Sequence, residues 1–341
     1  MRIGVLVGGG DAPGLNAALK AVVTMAHNFG FEVLGVKRGW AGLLEADTQP
    51  LDLDDVEEIQ SRGGIILYTS RTNPFKITNG PQTIIENMKK LKIDALIAIG
   101  GEDTLSVAQK LSEMKAPVVG VPKTIDNDLS ETDYSIGFDT AVSIATDAID
   151  SLRTTAEAHQ RIIVVEVMGR HSGWIALHSG LAGGANMVLI PEVPFSLERI
   201  YELVKSRRAK GKVQSIIVAA EGAKTSKQEE HVVQNEKIDA FGHVRLGGIS
   251  QTLETMIETN TGFEARSVIL GHLQRGGPPT AFDRVLALRL GIKAVELVQE
   301  KEFGKMSALR GYEIASASLK EAIKRKDVSV ELYEMAQMFF R

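Results

Sequence analysis

Two groups of acidic residues have the spacing of a reactive site. Glu102 and Asp103 follow Gly100-Gly101 directly, and Asp126 and Asp128 flank Asn127. Carboxylate oxygens are hard donors that suit Mg2+, which is commonly held by one or two acids plus substrate phosphates. A further carboxylate can take the proton of an attacking hydroxyl. Upstream, Gly8-Gly9-Gly10-Asp11-Ala12-Pro13-Gly14-Leu15-Asn16 offers a loop whose backbone N–H groups can approach an anion. The loop is not a Walker A motif, because Leu15-Asn16 replaces Lys-Ser/Thr; Pro13 also breaks the dinucleotide fingerprint. Asp and Asn at such places serve equally as helix caps and Asx-turns. Acids at two strand ends beside glycine loops favour a phosphate and metal site.

Other chemistries are closed. The 341-residue chain has no cysteine, hence no disulfide framework, thiolate nucleophile or Cys-ligated metal. Its 39 basic and 43 acidic side chains leave a net charge of −4, a poor balance for general nucleic-acid binding. No apolar run approaches a membrane span, and the N-terminus does not read as a signal peptide, so a cytoplasmic protein is expected.

The elements that must carry these loops read as alternating strands and helices. Strands are predicted at 3–7, 31–36, 95–99, 117–121, 162–167, 215–219 and 267–270. Helices are predicted near 80–92, 104–115, 138–158, 173–182, 196–210, 248–260 and 281–300, with Asp139 capping the one from 138. The alternation predicts an α/β protein with mainly parallel sheets and helices on their faces. The polar stretch Ala223–Val244 reads as an exposed excursion, the stretch after Lys305 shows no motif, and Val328–Phe340 reads as an amphipathic ending.

The glycine loop at 9–16, Gly100–Thr104, Thr124–Asp128, Glu166-Val167-Met168-Gly169-Arg170 and Leu270–Gly277 occur in one order, and with them the chain resembles the 6-phosphofructokinases over essentially its full length. The resemblance implies two Rossmann-like domains with the active site in the cleft between them. The phosphoryl-donor domain would hold 1–138 plus 251–301, and the sugar-phosphate domain 139–250 plus 302–341. It further implies Mg-dependent transfer to the C1 hydroxyl of fructose 6-phosphate. Asp126 would be the base, Asp128 the support of the loop and the metal shell, Arg170 the stabiliser of the phosphoryl group in flight and Glu102 the metal carboxylate. Thr124, Met168, Gly169, Glu221, His272 and Arg275 match the family's sugar-phosphate contacts. Arg161 and Arg266 match positions that reach a neighbouring subunit's site, which implies a homodimer or homotetramer. Arg153, Lys210 and Lys212 match an effector set, but Thr24 stands where regulated relatives have arginine, so little effector response is expected.

The resemblance also bears on the donor, for which Gly10, Arg71, Asp103 and Lys123 are the candidate residues. ATP-using relatives usually have glycine at the position of Asp103, where a carboxylate would crowd and repel the nucleotide's α-phosphate. An ammonium at Lys123 suits a shorter donor. Asp103 with Lys123 resembles the pyrophosphate-dependent branch, with an ATP-dependent enzyme as the alternative. A nicotinamide oxidoreductase is disfavoured, because Gly35-Val36-Lys37-Arg38-Gly39 lacks the acid that would bind ribose. A non-catalytic sugar-binding module has no need of paired acids beside a glycine loop.

Overall fold

The computed structural model describes residues 1–225, 233–238 and 244–341. Its strands are β1 Arg2–Val7, β2 Glu32–Val36, β3 Thr48–Leu51, β4 Ala95–Gly100, β5 Val118–Pro122, β6 Ile162–Val167, β7 Met187–Leu189, β8 Ser215–Ala220, β9 Val233–Ile238, β10 Val244–Leu246, β11 Ala265–Ile269, β12 Lys305–Arg310 and β13 Glu313–Ser318. The chain forms two compact units.

Among the described residues, the first unit holds 1–140 and 275–325. Its sheet has the order β13-β12-β5-β4-β1-β2-β3. The five inner strands are parallel, and β3 and β13 run antiparallel at the edges. Alternation along the strands supplies both faces. Ile3, Val5, Val7, Ile97 and Ile99 join a core with the helices Leu15–Asn28 and Ala281–Gln299, while Leu6, Leu96 and Ala98 join another with the helix Glu102–Glu113. Every residue of β4 and β5 is buried, as expected of strands covered on both sides. The chain leaves β1 for β2 on one side and returns to β4 on the other. The carboxyl ends of β1 and β4 therefore flank a topological switch point, where open α/β sheets bind ligands.

The second unit holds 141–238, 244–274 and 326–341, described residues only. Its sheet is fully parallel in the order β11-β6-β8-β7. Ile162, Val164, Ile217 and Ala219 pack with Phe195, Ile200, Leu253 and Ile257 from the flanking segments.

The expected boundaries shift in the last third of the chain. The helix Ile249–Thr261 and β11 belong with β6 in the second unit rather than with the first. The stretch after Lys305, which carried no signal, forms the hairpin β12–β13 and completes the first sheet, with Met306 opposite Gly120 of β5. Asp139 is not the cap of its helix: it lies inside the helix Phe138–His159, and its carboxylate accepts from the Thr280 hydroxyl at 2.6 Å. Asp283 takes that place instead, accepting from Gly137 N at 2.9 Å, Thr140 N at 2.8 Å and the Thr140 hydroxyl at 2.6 Å. The stretch Ala223–Val244 contains β9, which pairs with β10 starting at Val244, and 226–232 and 239–243 lie outside the described residues. The amphipathic ending contains the helix Val330–Gln337. Among the described residues, no helix is long and apolar enough to cross a membrane.

Candidate active site

In the first unit Gly10, Glu102, Asp103, Lys123, Thr124, Asp126 and Asp128 follow the carboxyl ends of β1, β4 and β5, which lie side by side, while Arg71 and Arg275 come from other segments. Gly8 N donates to Ile99 O at 3.0 Å and Lys123 N to Gly100 O at 3.0 Å, tying the three loop origins together. Thr104, buried in the first turn of its helix, fills the space beside the first two loops. A Cβ on Gly8 would lie 2.5 Å from Thr104 Oγ1, and one on Gly100 would lie 2.3 Å from its Cβ. Glycine is required at both places by close approach.

Lys123 is 3% exposed, and its Nζ donates to the carbonyls of Gly8, at 3.0 Å, and Gly10. Burial lowers its pKa from 10.5 to about 7; Arg275 and Arg71 push the same way, against Asp11 and Asp126. Lys123, Arg275, Arg71 and Asp126 thus share one electrostatic neighbourhood. Arg275 Nη1 donates to Asp11 O at 3.0 Å, and a Cβ on Gly10 would stand 2.8 Å from the same nitrogen. The guanidinium therefore lies against the glycine loop. Exposed Arg71 is brought there by the Thr69 hydroxyl, which donates to Gly9 O at 2.7 Å, and by Gly9 N, which donates to Ser70 O at 3.1 Å.

Glu102 and half-buried Asp103 form the first turn of the helix Glu102–Glu113, where acids complement the helix dipole. Glu102 is exposed and accepts from the Ser106 hydroxyl at 3.0 Å. Among the described residues, no three His, Asp or Glu side chains gather as a metal cage. One exposed carboxylate beside a glycine loop fits Mg2+ that would bring most of its ligands with a phosphate substrate. After β5, Thr124 Oγ1 accepts from Asp126 N at 3.1 Å; Asp126 is largely buried and Asp128 half-buried.

In the second unit Met168, Gly169, Arg170, Glu221 and His272 follow β6, β8 and β11, while Arg161 precedes β6 and Arg266 lies within β11. Gly169 has φ +142°, and a Cβ there would meet Ser172 O at 2.3 Å; Arg170 follows in the left-handed region at φ +53°. This turn aims the Arg170 N–H at Glu221 Oε1, 3.0 Å away, so one oxygen of the expected sugar-binding carboxylate is engaged by backbone. Gln274, fully buried, accepts from Met168 N through Oε1 at 3.3 Å and donates from Nε2 to Gly271 O at 3.0 Å. It links the Met168-Gly169-Arg170 loop to the one carrying exposed His272. Gln274 lies inside the Leu270–Gly277 motif, but nothing local in the sequence marks which loop it will meet.

Arg161 and Arg266 converge on one carboxylate. Arg161 pairs with Glu264 at 2.7 Å; Arg266 pairs with Glu264 and with Glu258, the latter at 3.0 Å. The Arg161 hydrogen bond chiefly, with both guanidinium charges, holds the Glu264 carboxyl below its ordinary pKa.

The family model described as phosphofructokinase matches residues 2–298. The pyrophosphate–fructose 6-phosphate 1-phosphotransferase of Amycolatopsis methanolica is 57% identical, with all of both chains covered. The ATP-dependent 6-phosphofructokinase 3 of Streptomyces coelicolor is 53% identical, with 95% of each chain covered. The solved phosphofructokinase of Saccharomyces cerevisiae superposes with a TM-score of 0.82 at 32% identity, over 94% of this chain and 45% of that longer one.

Proposed function

The chain belongs to the phosphofructokinase family, and we propose that it transfers a phosphoryl group reversibly from pyrophosphate to the C1 hydroxyl of fructose 6-phosphate. The products are fructose 1,6-bisphosphate and phosphate. Asp126 accepts the hydroxyl proton as the C1 oxygen attacks the terminal phosphorus, and the bridging P–O bond of pyrophosphate breaks. Asp128 supports the loop, and Arg170 opposes charge on the phosphoryl oxygens in flight. Gly10, Arg71, Asp103 and Lys123 hold the donor. Thr124, Met168, Gly169, Glu221, His272 and Arg275 hold the sugar phosphate, with Arg161 and Arg266 from a neighbouring copy in a homodimer or homotetramer. Glu102 would hold Mg2+, which when bound offsets charge on the phosphate oxygens. The enzyme works in the cytoplasm, with little effector control.

The observation that carries pyrophosphate is Asp103, a half-buried carboxylate in the first helical turn after Gly100-Gly101. A negative charge beside the donor loops opposes the extra phosphate of a nucleotide. Lys123 supports the same reading: an ammonium has three N–H donors and two reach the loop carbonyls, which leaves one for a phosphate oxygen. An ATP-dependent enzyme is the second reading, favoured by the Streptomyces coelicolor relative. Initial rates of the purified protein with Mg-pyrophosphate and Mg-ATP separate the two. Comparable or greater efficiency with ATP overturns the pyrophosphate assignment, and Asp103→Gly is expected to raise the use of ATP.

A further inference from the structure

Between the isolated bridges at Lys123 and Leu129, the segment after β5 is held by buried side chains. Asn127 sits in the left-handed region at φ +50° and is 3% exposed. Its Oδ1 accepts from Ser135 N at 3.0 Å and its Nδ2 donates to Asp133 O at 3.1 Å. The partners fix the amide's orientation, since an N–H needs the oxygen and a carbonyl needs the nitrogen. Ser135 is fully buried, and its hydroxyl lies 2.6 Å from Thr124 O and 3.3 Å from Asn127 Oδ1. A hydroxyl has one proton, and the shorter contact takes it. Thr124 Oγ1 in turn accepts from Asp126 N. The residue two before Asp126 and the residue directly after it are thus both pinned by Ser135, which lies 11 positions beyond Thr124.

We propose that Ser135 and Asn127 form a clamp that positions Asp126 for proton transfer, an inference that rests on Asp126 being the general base. Neither clamp side chain needs to touch substrate: both are buried, and their bonds end on backbone atoms of the same loop. A base must lie within hydrogen-bond reach of the proton it takes, and a displacement of about 1 Å can cost on the order of 100-fold in rate. Isolated bridges anchor the segment at Lys123, opposite Ile136, and at Leu129, opposite Arg325, but between them Thr124–Asp128 lie in no helix or strand, and there the clamp adds order.

The test compares Ser135→Ala, Ser135→Thr, Asn127→Gly and Asp126→Ala in the full-length enzyme, by kcat, by KM for each substrate and by thermal unfolding. Glycine suits the backbone at 127 while removing both amide bonds, so it reads the clamp even if Ser135→Ala does not fold. The expected result is a kcat lowered about tenfold or more in Ser135→Ala and Asn127→Gly, with both KM values within roughly twofold of the parent. Ser135→Thr keeps the hydroxyl and should restore kcat. Folded clamp variants that keep the parent kcat, or whose loss lies in KM, overturn the clamp while an inactive Asp126→Ala leaves the base assignment standing. An Asp126→Ala enzyme that keeps full turnover overturns the base assignment and the clamp with it.

Discussion

The buried ammonium of Lys123 donates to the Gly8 carbonyl 3.0 Å away and so joins the end of β5 to the loop after β1. A neutral amine keeps two N–H donors, enough for Gly8 and Gly10, but loses the positive charge and the third donor. With its pKa lowered to about 7, Lys123 changes state near neutrality in the free enzyme. The KM for pyrophosphate should therefore rise as pH climbs through about 7, with kcat less affected because the bound anion favours the charged form. Lys123→Met should raise that KM at low pH and flatten the dependence. A parent KM that stays flat across this range contradicts the account. The same shift sets a stability trend: the folded pKa is below the unfolded one, so the free enzyme should gain stability as pH rises from about 7 toward 10.5. Chemical denaturation of parent and variant reads this directly.

Gly8→Ala should be damaging for a reason that a second substitution can remove. The new methyl would stand 2.5 Å from Thr104 Oγ1 and 2.9 Å from its Cγ2. Overpacking of this kind costs about 1–3 kcal/mol. The double variant Gly8→Ala, Thr104→Ala should recover part of the loss, so a thermodynamic cycle should show coupling of about 0.5 kcal/mol or more. Strict additivity would show that the loop fails for another reason.

Asp283 gives a different pH signature. Burial raises its pKa from 3.8 to about 6, against the bonds from Thr140 and Gly137 that favour the carboxylate. The folded state holds this proton more tightly than the unfolded state, so charging Asp283 costs stability between about pH 4 and 6. Asp283→Asn removes that slope, and denaturant melts of the two proteins should diverge across the same interval. Asp283→Ala instead leaves the Gly137 and Thr140 N–H groups unmet and should lose about 2–4 kcal/mol near neutral pH.

Gln274→Ala should separate the two loops that it links, Met168-Gly169-Arg170 and Gly271–Arg275. If these loops hold the sugar phosphate, KM for fructose 6-phosphate should rise about tenfold while KM for pyrophosphate changes little. Equal changes in both constants would instead indicate general loss of structure.

Much of this organisation is legible in the sequence. β4 and β5 read as strands because every residue is apolar or glycine until Pro122, and the reactive loops read from glycines and acids packed at strand ends. The hairpin β12–β13 did not, because Lys-Met-Ser-Ala-Leu-Arg and Glu-Ile-Ala-Ser-Ala-Ser hold few β-branched apolar residues, and their pairing is set by β5. β7 is only three residues long, too short for a period to appear. In the site, residue types were readable but their partners were not. Lys123 meets a carbonyl 115 positions away and Asp283 an amide 146 positions away. Such pairings belong to the tertiary fold, and so does the role of Ser135.

The late arrival of β12 beside β5 matters during synthesis. Strand β5 is made early and fully buried in the finished sheet, yet its neighbour on that side begins only at Lys305. The ribosome must first add residues 123–304, roughly 10–40 s of work at ~5–20 residues per second. Until then the nascent chain displays an apolar strand edge with open backbone donors and acceptors, and a chaperone or a stray strand from a neighbouring polysome can compete for it.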